Sequence, residues 1–274
     1  MRVLLFGGSG WIGSQLAYLF GDTCTVTNTR MESPTAEEVV KEVNPTHVVC
    51  CAGLTGRPNV DWCEDHKREV IKTNVVGVLN LADICHRRDI HLTYFGTGCI
   101  YDGYVKEYSE EDPPNFTGSY YSKTKVMVQE LLKDYEKCLV LRLRMPITGD
   151  LKHPRNFITK IMGYERIVST QNSMTVLPTL LPYAMDMVKR SLTGTYNFTN
   201  PGSMCHEEIM EMVKRHRIPE LTWKVMTLEE QSKLLKAGRS NCILNADKLK
   251  SLYPSIPDLS SAIEEVFLNL GENS

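Results

Sequence analysis

No stretch of this 274-residue chain approaches the ~18 consecutive apolar residues of a membrane-spanning helix. There is no excess of charge of either sign: Lys plus Arg is 31, Asp plus Glu is 33, and the net charge is −2. That balance excludes the basic footprint of a nucleic-acid binder, and no lysine-rich run marks a membrane-surface segment. Cys-x-x-Cys is missing, and Cys205-His206 has no partners at ligand spacing, so no metal site is expected. Met1-Arg-Val-Leu-Leu-Phe-Gly7 begins a strand at once and lacks the apolar core of a signal peptide. The nine cysteines are an odd, scattered set, read as reduced thiols of a cytoplasmic protein. Without secretion the sequons at Asn115 and Asn197 carry no weight. Internal repeats and low-complexity tracts are also lacking, which leaves a single large domain, or one domain with an annex.

What is present alternates. Val3-Leu-Leu-Phe6 is a continuous apolar run, as in a strand buried on both faces of a parallel sheet. Gly7-Gly-Ser-Gly-Trp-Ile-Gly13 follows, and then the helical spacing Ile12, Leu16, Leu19, Phe20. Glycines 7, 10 and 13 between strand and helix let the backbone turn tightly and approach a pyrophosphate at the helix N-terminus, beside Trp11 and Ile12. A second strand at Thr25–Thr27 ends near Arg30, where a basic residue accepts a 2′-phosphate; this favours NADPH over NADH, with Glu32 pulling the other way. Glu37–Val43 reads as a short helix and Thr46–Cys51 as a third strand, with Ala52-Gly53 placed to lie against the cofactor. The polar loop from Thr55 to Cys63 follows that strand and offers Arg57 and Asn59 as donors to a substrate. A long helix then runs past Val70, Asn74, Val78 and Leu81 to Arg87, and Ile90–Phe95 is the fourth strand. The pattern predicts an α/β, Rossmann-type doubly wound parallel sheet over residues 1–150. Residues 151–274 form a smaller α/β substrate-binding part interleaved with it. Expected there are helices at Asn156–Ile161, His206–Lys214 and Ser260–Leu270 and a strand at Thr195–Phe198.

The chemistry is expected at Tyr94-Phe-Gly-Thr-Gly-Cys-Ile-Tyr-Asp-Gly103, where the fourth strand opens onto a loop, the position at which such sheets hold ligands. Thr97 is a hydrogen-bond donor there, and Cys99, two residues on, an acid or base. Glu107–Pro114 reads as an acidic loop. In the helix that follows, Tyr121 and Lys125 stand at i,i+4 spacing, phenol beside ammonium. Tyr120 also carries a phenol, but Thr124 rather than a lysine lies four residues on. Leu139–Leu143 is a further strand with Met145-Pro146-Ile147 at its exit.

The glycine loop, Asn74, Thr97 and Tyr121/Lys125, in this order, resemble the extended short-chain dehydrogenase/reductases. Longer stretches are similar to the plant-type nucleotide-rhamnose synthase/epimerase-reductase: Gly53–Glu64, Gly98–Ile100, Asn115–Ser119, Arg144–Ile147, Pro154–Lys160 and Tyr196–Gly202. The resemblance covers nearly the whole chain and departs at Cys99–Glu110, where the loop is shorter. It implies conversion of UDP-4-keto-6-deoxyglucose to UDP-L-rhamnose by inversion at C3 and C5 and reduction at C4 with NAD(P)H. A separate 4,6-dehydratase would supply the keto sugar, and the chain would form a homodimer through the helices carrying Asn74 and Tyr121. The implied roles are Tyr121 as proton donor to the C4 oxygen, Lys125 lowering the Tyr121 pKa and binding ribose, and Thr97 polarising the carbonyl. Asn74 and Pro146 fall with the cofactor, and Thr55, Arg57, Asn59 and Asn156 with the sugar nucleotide. Cys99 and Lys160 would be the paired base and acid of epimerisation; the related GDP-fucose synthase has a cysteine and a histidine at these places. Arg239 matches a late arginine used against the diphosphate. A plain 4-keto-sugar reductase, or a non-catalytic dinucleotide-binding subunit, would share the cofactor residues.

Overall fold

The apolar runs become the strands of a six-stranded sheet in a computed structural model that describes residues 1–269. The strands are β1 (Val3–Phe6), β2 (Cys24–Thr27), β3 (His47–Cys50), β4 (His91–Thr97), β6 (Cys138–Leu143) and β8 (Gly194–Asn197). Two short pairs lie outside that sheet: β5 (Gly103–Tyr108) with β10 (Cys242–Leu244), and β7 (Arg166–Val168) with β9 (Lys224–Met226). The main order is β2-β1-β3-β4-β6-β8, with every neighbouring pair parallel. Phe6 lies opposite both Thr27 and Cys50, Cys50 opposite Tyr94, and Thr97 opposite Leu143, so the carboxyl ends share one edge.

Side chains alternate across each strand, and both faces are covered. Leu4 and Phe6 of β1 pack with Val78, Leu81, Val128 and Leu132. Val3 and Leu5 point the other way, to Leu16, Leu180 and Phe198. Burying one such side chain contributes about 1.5–3 kcal/mol, which holds the strands in register. A third cluster around Ile158, Ile161, Ile209 and Ile263 forms the core of the C-terminal part. Because β8 joins the main sheet and β10 pairs with β5, the chain beyond residue 150 is threaded through the first part.

The helices Trp11–Phe20, Ala36–Val43, Phe157–Met162 and His206–His216 stand where the apolar periodicity places them. The last helix is Leu259–Asn269, and Leu270 of the expected span lies outside the described residues. The helix expected through Asn74 is interrupted: Lys67–Ile71 passes into a π-helical turn at Lys72–Gly77 and then into Val78–Arg87. Such a turn widens the helix locally and commonly marks a functional position. Tyr120–Leu132 starts at Ser119, whose hydroxyl accepts from the Ser122 amide.

At the opposite edge of the sheet two histidines are buried together, with ring centroids 5.3 Å apart. His47 contacts Thr46 and Ser191 through its two ring nitrogens, and His91 Nε2 bonds the Leu192 carbonyl. Burial, and then the neighbouring His91, lower the His47 pKa to about 4. An unfolded histidine titrates near ~6.5, so the unfolded chain binds more protons between there and about 4. Stability should therefore fall as pH drops through that window, by on the order of 1–2 kcal/mol. Thermal melts from pH 7.5 to 4.5 test this: His47→Gln should flatten the loss, and a variant with the wild-type slope would contradict it.

Candidate active site

The cofactor turn is built by the absence of side chains. Gly7 has φ +83°, and a Cβ there would lie 2.5 Å from the Ala52 amide nitrogen; one on Gly13 would lie 2.1 Å from the Gly7 carbonyl oxygen. Glycine alone fits both places. The Gly10 amide donates to the Gly7 carbonyl at 3.0 Å, and no side chain caps the helix that Trp11 begins. Its free N–H groups face the opening, the arrangement that receives an anion. Trp11 stacks on His153 at 4.8 Å, so the loop after β6 covers the turn, and Ile12 anchors the helix in the core. Arg30 stands largely exposed at the exit of β2, only 3.7 Å from Glu32. The Glu32 carboxylate is buried and also accepts from the Thr73 hydroxyl, beside Gly77.

Across the edge, Ala52-Gly53 leads to Leu54. Asn74 is fully buried, and its amide closes a two-way bond with the Leu54 backbone at 2.8 Å each way. Asn74 thus shapes the segment beside the cofactor turn, and its polar atoms are already occupied. A Cβ on Gly53 would come within 3.4 Å of Lys125 Nζ, so this backbone passes directly by the ammonium.

Lys125 is almost completely buried and donates to the Tyr94 hydroxyl at 2.6 Å, with the Tyr94 and Tyr121 rings 5.0 and 5.7 Å from its Nζ. Burial lowers its pKa to about 8, against the pull of Cys50 and Cys63. The expected depression of the Tyr121 pKa is absent: burial pushes that phenol well up, with the Thr97 hydroxyl pulling against it. Lys125 gives its short bond to Tyr94 rather than to Tyr121, so burial prevails. Tyr121 therefore stands as a neutral phenol, the form that donates a proton. Thr97 ends β4 beside it, its hydroxyl accepting from the Cys99 amide at 3.1 Å. Tyr120 faces the other way, under Lys67.

Cys99, Tyr121, Lys160, Asn59 and Arg239 line one cleft of about 520 Å³. Phe116, Phe157, Ile167, Met226 and Leu234 make its apolar walls, and His206 adds a ring that burial keeps neutral, with its pKa near 4. Lys160 comes from the helix Phe157–Met162, and burial and then the Arg155 charge hold its pKa below the usual lysine value. Arg239 bonds Asp61 at 2.9 Å, so an incoming diphosphate would share that guanidinium with a carboxylate. Thr55 and Arg57 do not line the cleft. The Thr55 hydroxyl accepts from Arg155 at 2.8 Å, while Arg57 is exposed beside it. Asn156 corrects its expectation: it is fully buried, and its amide caps Ile158 and bonds the Thr148 and Asp150 carbonyls. It holds the helix of Lys160 in place and has nothing left for a ligand. Pro146 is half-buried at the exit of β6, its carbonyl accepting from Phe157.

Sequence reasoning gave no role to Tyr94, Arg155 or Arg144. Tyr94 reads as a core residue of its strand, and Arg155 as surface charge. Arg142 and Arg144 carry a visible signal: two arginines at i,i+2 in an apolar strand point to one face and demand buried partners.

Residues 1–267 match the family described as the RmlD substrate binding domain. A bifunctional dTDP-4-dehydrorhamnose 3,5-epimerase/dTDP-4-dehydrorhamnose reductase of Arabidopsis thaliana is 50% identical, over 95% of this chain and 90% of that protein. A trifunctional UDP-glucose 4,6-dehydratase/UDP-4-keto-6-deoxy-D-glucose 3,5-epimerase/UDP-4-keto-L-rhamnose-reductase of the same plant is 46% identical; the match covers 96% of this chain and 41% of that protein. The crystal structure of the UDP-rhamnose synthase of Acanthamoeba polyphaga mimivirus superposes with TM-score 0.94 at 42% identity, over 97% of this chain and 98% of that one. The chain belongs to the RmlD substrate-binding family, among the nucleotide-rhamnose epimerase-reductases of the extended short-chain dehydrogenase/reductase superfamily.

Proposed function

We propose that the chain is an NADPH-dependent 4-keto-sugar nucleotide reductase that also inverts C3 and C5, converting UDP-4-keto-6-deoxyglucose to UDP-L-rhamnose. The observation that carries this reading is the meeting of Tyr121, Cys99 and Lys160 in one cleft beside the cofactor turn. The glycine turn, Arg30 and the backbone of Ala52-Gly53 would hold NADPH, with Lys125 at its ribose, and NADH remains a poorer alternative. When bound, the cofactor supplies the hydride for C4. Tyr121, protonated at neutral pH, gives its proton to the C4 oxygen, and Thr97 bonds the same oxygen, drawing charge from the carbonyl. The buried Lys125–Tyr94 pair fixes the ammonium behind the phenol.

Epimerisation uses the same ketone. The C–H bonds at C3 and C5 flank it, so each proton is acidic. As base, the Cys99 thiolate takes the proton and becomes a thiol, and the electron pair passes to the C4 oxygen as an enolate. Lys160 then returns a proton to the opposite face and becomes an amine; exchange with water restores both groups. The lowered pKa of Lys160 suits a donor, which is why we assign the acid to it and the base to Cys99. Arg239 and Asn59 would meet the diphosphate.

We infer a homodimer as well, because Ile71, Val76, Met127 and Leu131 are exposed apolar side chains on adjoining helical segments. The free thiols suit a reducing, cytoplasmic setting. A trifunctional relative carries a dehydratase activity in its name, and a separate protein with that activity would supply the substrate here. The test is oxidation of NADPH with UDP-4-keto-6-deoxyglucose, with the product identified by NMR. UDP-L-rhamnose is expected. A 6-deoxyhexose with C3 and C5 unchanged would mark a plain reductase, and no oxidation at saturation a non-catalytic subunit.

A further inference from the structure

We propose that Gln129 is a positioning residue for Thr97: its side-chain amide, oriented by the buried Arg142, keeps the end of β4 beside Tyr121 so that the Thr97 hydroxyl meets the ketone. The inference rests on the reading of Thr97 as the group that bonds the C4 oxygen.

Tyr121, Lys125 and Gln129 follow one another at i,i+4 on the helix Tyr120–Leu132, so the three side chains share a face. That face meets β4. Lys125 bonds the Tyr94 hydroxyl, and Gln129 Nε2 donates to the Thr97 carbonyl at 3.0 Å. The helix is thereby fixed to the strand at two places, the second of them on the residue whose hydroxyl is to act. The strand leaves room for this contact: a Cβ on Gly96 would lie 3.4 Å from both Cδ and Oε1 of Gln129, so the amide passes over a position without a side chain. Thr97 is buried, and the turn begins at Gly98, so the carbonyl at the strand end takes this bond from the helix.

The other partner of the amide fixes its orientation. Gln129 Oε1 accepts from Arg142 Nε at 3.0 Å, and Arg142 lies opposite Gly96 in the ladder between β4 and β6. A guanidinium only donates and a carbonyl only accepts, so a single orientation of the amide satisfies both ends. Arg142 Nη1 donates in turn to the Tyr101 hydroxyl at 3.0 Å and the Glu110 carbonyl at 3.2 Å, which keeps the guanidinium from swinging away. Gln129 and Arg142 are both almost completely buried, so water does not replace a bond lost between them. Gln129 does not line the cleft. Its influence on the reaction passes through Thr97, whose hydroxyl accepts from the Cys99 amide and meets Tyr121.

Two substitutions in the full chain test this. Gln129→Glu keeps the shape and the bond to Arg142 but sets an acceptor against the Thr97 carbonyl, and Gln129→Met keeps the length and bonds neither partner. Each should lower kcat for NADPH oxidation with the keto sugar by about tenfold, with KM for both substrates near wild type. Deuterium exchange at C3 and C5 should fall by a similar factor, because both reactions need the ketone polarised. Gln129→Glu added to Thr97→Ala should cost little beyond Thr97→Ala alone, since the amide acts through that residue. A wild-type kcat in a folded Gln129 variant, or full additivity with Thr97→Ala, overturns the proposal. A wild type inactive on the keto sugar, or a Thr97→Ala that reduces it at the wild-type rate, removes the underlying reading and the proposal with it. A slow Thr97→Ala beside a wild-type Gln129→Glu removes the proposal alone.

Discussion

Replacing Tyr121 by phenylalanine should slow reduction of the C4 ketone by about 10²- to 10⁴-fold while leaving proton exchange at C3 and C5 near its wild-type rate. The phenol is a neutral acid near the end of β4, held protonated by burial and set beside Thr97. Phenylalanine keeps the ring that packs near Lys125 and removes only the proton that the alkoxide needs. Exchange needs the carbonyl polarised but not protonated to completion, and Thr97 still donates to it. Stopped-flow oxidation of NADPH measures the first quantity, and deuterium uptake the second. Equal losses in both would show that Tyr121 serves substrate binding rather than the hydride step.

The converse substitutions carry the second large effect. Cys99→Ala and Lys160→Met should each lower exchange by about 10²- to 10⁴-fold, since each removes one of the two proposed proton-transfer groups. Reduction should survive in both when the sugar is supplied already inverted at C3 and C5, because Tyr121 and the Lys125–Tyr94 pair are left in place. The two variants should differ in one respect. Lys160 sits beside Arg155 in the cleft wall and contributes charge as well as a proton, so its loss should raise KM for the nucleotide sugar more than the loss of Cys99 does. Wild-type exchange in either variant would refute that residue's assignment.

These effects separate along a line partly legible in the sequence. The strand-turn-helix at Val3–Phe20 is readable because glycines 7 and 13 leave no steric alternative, and the β4 terminus because the apolar run breaks at Thr97-Gly98. The paired phenol and ammonium are readable from helical spacing, but their electrostatics are not. Lys125 bonds Tyr94, a residue 31 positions away on a strand, and burial is what keeps Tyr121 protonated; spacing shows neither. β5 escapes sequence reading because Tyr104–Glu107, four of its six residues, are exposed and its partner β10 is far along the chain. The π-helical turn around Asn74 is hidden for a similar reason: the Asn74 amide there bonds the backbone of Leu54, a contact no periodic side-chain pattern shows. Asn156 shows the opposite error, a polar residue in a distinctive stretch whose amide is occupied by capping its own helix and by the Thr148 and Asp150 carbonyls.

The account turns on one claim, that a single cleft carries both hydride and proton chemistry. Incubating the chain with UDP-4-keto-6-deoxyglucose in deuterated water without NADPH isolates the second, and NMR reads the positions labelled. Deuterium at both C3 and C5, lost in Cys99→Ala, is the predicted result. A sugar recovered unlabelled at both carbons would contradict it and leave a reductase alone.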